Sequence, residues 1–204
     1  MPTLYFSADS DAFTQLTRML SVLMEWTTED SAYAVLEDDL AEAKERLENL
    51  PIRFHYDASP SLSDIEEVVE AYFEVYDVYP SLIVVDNVTN VRTSDEDDDP
   101  FSGLEPLMEY LHDMARQTGA CVVGLHHVKG EYNDSDKPIP LSGIKGQISR
   151  VPELIITLFR QAVEFGFDKL LVSCVKNRNG KMDASGMTYA ELVFDGSRMQ
   201  IRDF

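Results

Sequence analysis

The chain has 204 residues and a formal net charge of −20. This length suits one domain with a substantial core. No apolar run reaches the roughly 18 residues that a membrane span requires, and the first residues lack a signal-peptide pattern. These features predict a cytoplasmic protein without membrane contact. The strongly negative charge argues against passive binding of nucleic acid by the whole surface.

The first half of the chain alternates predicted strands and helices. Strands are predicted at residues 3–6 and 52–56. One helix is predicted from the helical spacing of Phe13, Leu16, Met19, Leu20 and Leu23, and a second at residues 31–49. A further helix is expected from Ser61, whose hydroxyl can cap a helix start. Strands that alternate with helices are typical of a parallel α/β sheet.

The most informative strand is predicted at residues 82–86, where Leu82-Ile83-Val84-Val85 precedes Asp86. A continuous apolar run rich in β-branched residues predicts a strand that is buried on both faces. Asp86 then falls at the carboxyl end of a central strand, which is where open α/β sheets bind their ligands. The alternative is that Asp86 only forms a turn or caps a helix.

The second half begins with an acidic loop, Asp95–Asp99, which could hold a hard cation but is more simply a solvated loop. A helix at residues 104–117 and a strand at residues 120–125 follow, and the strand ends at His126-His127. The remaining strands succeed one another with only turns between them, which predicts an antiparallel edge to the sheet. They are placed at residues 154–160, 170–175, 189–194 and 199–202.

Charge is distributed unevenly along the chain. Residues 1–124 contain 6 Lys and Arg against 27 Asp and Glu, whereas residues 125–204 contain 11 against 10. Any contact with phosphate is therefore expected in the last part of the chain. The basic residues there are either a phosphate-backbone surface or scattered solubilising charge. They are Lys129, Lys137, Lys145, Arg150, Lys176, Arg178 and Lys181.

In their order along the chain, several segments resemble the RecA-type ATPase core of the DnaB and phage ring helicases and of the related RepA-like plasmid helicases. Leu82–Asp86 resembles the Walker B strand, and Leu4–Ser10 resembles the strand that carries a catalytic acid. Gly124–Lys129 resembles the sensor strand, and Pro140–Ile148 resembles the loop that contacts single-stranded DNA. Lys176-Asn177-Arg178 resembles the finger that reaches a neighbouring subunit's γ-phosphate.

The resemblance implies a single RecA-like domain over residues 1–204, with a mostly parallel central sheet, flanking helices and antiparallel strands at its C-terminal edge. It also implies that Asp9, Asp86 and the His126-His127 pair meet at one edge of the sheet. We expect Asp9, Asp86 and His126 to bind Mg²⁺ or Mn²⁺, and Asp9, Asp86 and His127 to be catalytic. The alternative is that these residues are remnants of an ATPase site that now only cap strands.

For DNA and phosphate, the expected ligands are Lys129, Lys145, Arg150, Lys176, Arg178 and Lys181. Lys176 and Arg178 are two residues apart, so a continuing strand would direct both side chains to the same side. The expected partners are forked or single-stranded DNA, and a second copy or a replicative helicase bound through a RecA-type subunit interface.

The 204 residues contain no G-x-x-x-x-G-K-[ST] phosphate-binding loop, which in these ATPases precedes the strand that corresponds to residues 3–6. ATP is therefore not expected to bind to this chain alone. Three hypotheses follow, and all of them assign the protein to a phage-type module for DNA replication or recombination. If the gene is viral, the protein is expected in the host cytoplasm. The leading one is a metal-dependent nuclease acting on branched or single-stranded DNA. The others are an NTPase or helicase subunit whose loop is supplied elsewhere, and a non-catalytic module that docks on a helicase.

Overall fold

The computed structural model describes residues 1–92, 103–146 and 148–203. The acidic loop Asp95–Asp99 lies outside the described residues, as does Gln147 of the segment Pro140–Ile148. The helices and strands are β1 (Thr3–Ser7), α1 (Ala12–Met24), α2 (Thr28–Leu36), α3 (Lys44–Glu48), β2 (Ile52–Tyr56), α4 (Leu62–Tyr76), β3 (Leu82–Asp86), α5 (Leu104–Thr118), β4 (Cys121–Gly124), β5 (Leu154–Gln161), β6 (Asp168–Asn177), β7 (Tyr189–Asp195) and β8 (Gln200–Arg202).

The chain divides into two compact units. The first comprises Met1–Asp11, Pro51–His127 and Lys145–Pro152. The second comprises Ala12–Leu50, Val128–Ile144 and the segment from Glu153 onward. No helix in the described part of the chain is both long and apolar enough to cross a membrane.

The first unit is built on a four-stranded parallel sheet in the order β2-β1-β3-β4. The register places Leu4 opposite Ile83 and Phe6 opposite Val85, and all four side chains are buried. Val84, which lies between the two β3 residues, is buried as well, so this central strand is covered on both faces as its composition predicts. Asp86 is the last residue of β3.

The helix that follows β2 begins where the sequence predicts. Ser61 accepts a hydrogen bond from the backbone N–H of Asp64, and the Asp64 carboxylate accepts one from the Ser61 backbone N–H. These reciprocal bonds form a capping box that satisfies two N–H groups at the helix start. The hydrogen bonds from Ser61 lower the pKa of Asp64, with a smaller contribution from Arg92.

The second unit contains α1–α3 and a four-stranded antiparallel sheet in the order β5-β6-β7-β8. The mixed fold class is confirmed, but the antiparallel strands form a sheet of their own and do not extend the parallel sheet. The sequence pattern predicts the four strands but not the sheet to which they belong, because the pairing of strands depends on contacts between residues far apart in the sequence.

The single helix predicted at residues 31–49 is wrong, since the structure has the two helices α2 and α3 there. Asp38 interrupts the helix with a left-handed backbone at φ 54°. Asp tolerates this conformation better than most residues, and it follows Glu37 in a run of three acids. The regular spacing of Leu36, Leu40 and Leu47 suggested continuity that the backbone does not have.

Two loops of the second unit, Val128–Ile144 and the loop that contains Gly186, are each joined to its antiparallel sheet by a buried hydrogen bond. The Thr157 hydroxyl on β5 donates to the carbonyl of Ile139 at 2.9 Å, and the Ser173 hydroxyl on β6 donates to the carbonyl of Gly186 at 2.8 Å. Ile139 is itself buried against Phe159 and Leu171. This arrangement leaves no room beside Gly186, where an added Cβ would lie 2.6 Å from the carbonyl oxygen of Ile139.

We predict that Gly186→Ala destabilises the protein much more than Gly166→Ala. Both glycines have positive φ, 73° at Gly186 and 96° at Gly166, but nothing lies within 4 Å of a Cβ at Gly166. The control should lose about 1–2 kcal/mol to backbone strain, and Gly186→Ala should lose roughly a further 1–3 kcal/mol to the clash. Urea unfolding measures both, and equal losses would contradict the close approach.

Candidate functional site

Two acidic residues, Asp9 and Asp86, lie at the carboxyl end of the parallel sheet. β1 pairs with β3 so that Ser7 is opposite Asp86, and the pairing continues one step further through a 2.7 Å hydrogen bond from the Ala8 N–H to the Asp86 carbonyl. Asp9 is the next residue after Ala8 and is exposed, whereas Asp86 is half-buried. The strand order therefore places the two predicted acids at one edge, as expected from the parallel arrangement.

Each carboxylate accepts hydrogen bonds from neutral groups. Asp86 Oδ2 accepts a hydrogen bond of 2.5 Å from the Tyr5 hydroxyl. Asp9 Oδ2 accepts one of 2.5 Å from Asn87 Nδ2, and Asp9 Oδ1 accepts one of 3.1 Å from Asn90 Nδ2. Because these donors carry no charge, they orient the carboxylates without neutralising them.

Asn87 links Asp9 to His127. Asn87 is 3% exposed, and its Oδ1 accepts hydrogen bonds from the backbone N–H and the hydroxyl of Thr89. Since a backbone N–H can only donate, these contacts identify which amide atom is the oxygen. The amide nitrogen therefore donates one hydrogen to Asp9 and the other to His127 Nε2, at 3.2 Å.

This geometry assigns the tautomer of His127. Nε2 accepts from Asn87, so the ring proton is on Nδ1, and the imidazole is exposed. The predicted catalytic residues Asp9 and His127 thus both bind the side-chain amide of Asn87. Asn87 directly follows Asp86, the third predicted catalytic residue. The sequence prediction did not include Asn87 or Asn90. The only signal for Asn87 was a polar residue directly after Asp86 at the end of a buried strand.

His126 is oriented by a different contact. Its Nε2 lies 2.5 Å from the carbonyl oxygen of Lys145, so this nitrogen carries the proton and donates. Its Nδ1 is buried and has no hydrogen-bond partner within the described residues. Burial lowers the pKa of His126, and the neighbouring His127 and Lys145 lower it further against the opposing effect of the carbonyl.

The predicted metal ligands Asp9, Asp86 and His126 do not form a set of three. Over residues 1–92, 103–146 and 148–203, no group of three or more His, Cys, Asp or Glu side chains could hold a metal ion. His126 is not placed to bind a metal for two reasons. Its Nε2 carries a proton that is donated to the Lys145 carbonyl, and its Nδ1, which has the free lone pair, is buried.

The six predicted phosphate ligands belong to both units. Lys145 and Arg150 are in the first, and Lys129, Lys176, Arg178 and Lys181 are in the second. Within the second unit, burial lowers the pKa of Lys176, and the positive charge of Arg178 lowers it further. Arg178 also forms an ion pair of 2.7 Å with Glu153, and both side chains are nearly half exposed.

Two more of these residues have defined contacts. Arg150 forms an ion pair of 2.9 Å with Glu105 of α5, and the Lys129 ammonium donates to the carbonyl of Ser142. Exposed ion pairs of this kind contribute little to stability, so a phosphate could replace the carboxylate partner at small cost. Their role in binding phosphate stays a prediction.

Comparison with known proteins gives a family and a fold. A family model described as "AAA domain" matches residues 1–131. Two curated relatives are each called "Gene 65 protein". The one from Mycobacterium phage L5 is 62% identical, covering 100% of this chain and 77% of that protein. The one from Mycobacterium phage D29 is 61% identical, covering 100% of this chain and 89% of that protein.

Solved structures confirm the fold. One of them, described as an ATPase domain, superimposes with a TM-score of 0.82 at 16% identity, over 99% of this chain and 74% of that one. A DnaB-like replicative helicase, studied with its primase interactions, gives a TM-score of 0.83 at 16% identity. That match covers 99% of this chain and 51% of the other, so the chain spans about half of that helicase.

We predict that His126 makes stability depend on pH. Its folded-state pKa lies below the ordinary 6.5, so the unfolded chain takes up the proton first as the pH falls. Stability is therefore complete above pH 6.5 and decreases as the pH falls through the lowered folded-state value. His126→Gln keeps a donor for the Lys145 carbonyl but does not titrate.

Thermal unfolding between pH 7.5 and pH 5 tests this. The wild-type Tm should fall more steeply than that of His126→Gln, while His112→Gln should follow the wild type. Parallel curves for the wild type and His126→Gln would show that His126 is not the titrating group.

Proposed function

The chain belongs to the AAA domain family and has a RecA-like, DnaB-type helicase core, and on this basis we propose that it is a DNA-processing hydrolase. The specific activity we propose is cleavage of phosphodiester bonds in forked or single-stranded DNA, dependent on Mg²⁺ or Mn²⁺. The observation that carries the proposal is the cluster of Asp9, Asp86, Asn87 and His127 at the carboxyl end of the parallel sheet.

The two carboxylates fit a hydrated cation better than an enclosed metal site. Mg²⁺ retains several waters and is commonly held by one or two carboxylates together with substrate phosphate. Asp86 Oδ1 and the further lone pairs of Asp9 are suited to such a role, and no third acidic or His ligand is required. The hydrogen-bond donors to these carboxylates are a phenol and two amides, which are neutral.

When bound, the cation would neutralise charge on the phosphate and lower the pKa of a coordinated water. Asp9 accepts a proton from the attacking water, whose oxygen forms a new bond to phosphorus. His127 presents its Nδ1–H to a phosphate oxygen, in the tautomer that Asn87 imposes. The P–O ester bond breaks, and the leaving alkoxide takes up a proton from solvent, giving one phosphate monoester and one alcohol.

Substrate binding is proposed to involve Lys129, Lys145, Arg150, Lys176, Arg178 and Lys181. Contacts of this kind with the phosphate backbone give affinity with little sequence preference, which agrees with a preference for DNA structure over sequence. Binding through these residues should weaken steeply as salt is added.

The fold favours a second candidate, nucleoside triphosphate hydrolysis. The solved ATPase domain and the DnaB-like helicase share the fold, and Asp86 and Arg178 stand at the Walker B and finger positions that the resemblance assigns. A finger acts on a neighbour's nucleotide, and Arg178 is exposed enough, at 45% of its side chain, to exchange Glu153 for a phosphate. In this case the phosphate-binding loop comes from residues outside these 204, and the chain assembles with a second copy or with a replicative helicase.

We predict that Asp86→Asn lowers DNA cleavage at least 100-fold, because the change removes the charge that holds the cation. Cleavage of labelled forked and single-stranded DNA with Mg²⁺ or Mn²⁺ and without nucleotide measures the effect. Asp113→Asn, an exposed residue of α5, is the matched control and should retain full activity.

Three outcomes separate the candidates. Cleavage that survives Asp86→Asn would assign the activity to another site or to a contaminant. Nucleotide hydrolysis without DNA cleavage would favour the second candidate. Absence of both activities, with stable binding to a helicase ring, would indicate a docking module.

A further inference from the structure

Strand β5 presents a strip of apolar side chains to solvent. Leu154, Ile156 and Leu158 are each about half exposed, whereas Thr157 and Phe159 are buried. Because side chains alternate between the two faces of a strand, the three exposed residues lie on the face opposite to Phe159. Single exposed apolar side chains are common, but a contiguous set of large ones is typical of an interaction surface.

The turn that joins β5 to β6, residues 162–167, adds to this surface. Phe165 and Phe167 are both exposed, Phe165 at 87%, and Glu164 is exposed beside them. Turns ordinarily carry polar residues, whereas aromatic residues are enriched in protein interfaces. The turn therefore presents apolar anchors next to a negative charge.

Hydrogen bonds at the base of the turn fix its conformation. The Asp168 carboxylate accepts from the backbone N–H of Val163 at 3.0 Å and from Arg160 Nε at 2.6 Å, and these bonds lower the pKa of Asp168. The Arg160 guanidinium also lies over the Phe194 ring, 5.4 Å from its centroid. A turn held in this way can bind a partner with little loss of conformational freedom.

The other end of the β5–β6 hairpin carries groups that complement the turn. Lys181 and Met182 follow β6, which ends at Asn177, and both are exposed. Methionine makes favourable contacts with aromatic rings, and lysine has the charge opposite to that of Glu164. We call this part of the hairpin the Lys181 end.

We propose that a second copy of this chain covers the β5 strip in a two-fold dimer, with the two β5 strands antiparallel. A two-fold axis places the same patch of both copies in contact and exchanges its ends. Leu158 pairs with Val172 near the middle of the hairpin, so an axis there places the turn of each copy beside the Lys181 end of the other. The hairpin surface is thus complementary to itself, which selects a second copy as the partner. This dimer is independent of the proposed chemistry at Asp86.

The available area indicates a weak dimer. Burying the strip and the turn phenylalanines of both copies would remove on the order of 1,000 Å² from water, which is near the lower limit for a specific interface. We therefore expect a dissociation constant in the micromolar range.

Sedimentation equilibrium over a range of protein concentrations tests the dimer. The apparent mass should rise from 23.1 kDa towards twice that value. Ile156→Lys should weaken dimerisation roughly tenfold or more, because it places like charges in the contact. Val75→Lys is the matched control, since Val75 is exposed on α4 in the first unit, and it should dimerise as the wild type does.

Charge reversal tests the orientation of the two copies. Glu164→Lys and Lys181→Glu should each weaken dimerisation about threefold, a small effect because exposed ion pairs contribute little. The double variant should recover the wild-type affinity, and its failure to recover would overturn the orientation. Both residues are exposed, so thermal unfolding at low concentration should give the wild-type Tm for all three variants.

Three other results would overturn the dimer. The wild type would remain at 23.1 kDa at every concentration, or its dimer would be unaffected by Ile156→Lys and would therefore use another surface. The third result concerns the relative from Mycobacterium phage L5, of which this chain covers 77%. If that longer protein stays monomeric where this chain dimerises, its additional residues cover the strip.

Discussion

The register between β1 and β3 is the constraint on which the site depends. A slip of one residue would move every side chain of a strand to the opposite face. The observed pairing buries Leu4 and Phe6 against Ile83 and Val85, and the burial of these four apolar side chains stabilises that register over its alternatives. Tyr5, Ser7 and Asp86 are thereby left together on the other face, and Ala8 continues the pairing so that Asp9 follows at the same edge.

The hydrogen bonds at this edge orient charge without cancelling it. A carboxylate beside Lys or Arg would have its charge compensated within the protein, but Asp9 and Asp86 accept from a phenol and two amides. Negative charges at this edge of the sheet attract a cation and repel a phosphate. An approaching phosphate therefore requires neutralisation of these carboxylates first, which is why the proposed chemistry couples the substrate to a divalent ion.

Sequence reasoning located the acids but not the network around them. The apolar run before Asp86 predicts a buried strand, and strand alternation with helices predicts a parallel sheet. The meeting of Asp9 and Asp86 at one edge was expected from the resemblance to RecA-type cores, which supplies the strand order. The use of Asn87 as a bridge to His127 does not, because it depends on side-chain orientation that the Thr89 contacts set. Similarly, nothing in the spacing of His126 and His127 indicates that one ring is turned toward the Lys145 carbonyl and the other toward Asn87. The helix break at Asp38 could not be predicted either. The spacing of apolar residues indicates which face of a helix is buried, but it does not indicate the backbone dihedral angle of a single residue.

The same strand-end acids suit both candidate reactions. Hydrolysis of a nucleotide and cleavage of a DNA strand each need a water directed at phosphorus, a cation to offset charge, and a group that accepts a proton. In the proposed reactions Asp9, Asp86 and His127 would meet those needs, and they would do so for either substrate. The distinction lies in what holds the substrate, because a phosphate-binding loop cradles a terminal triphosphate whereas separated Lys and Arg side chains follow a polymer backbone. Function on this scaffold is therefore decided by the groups that hold the phosphate.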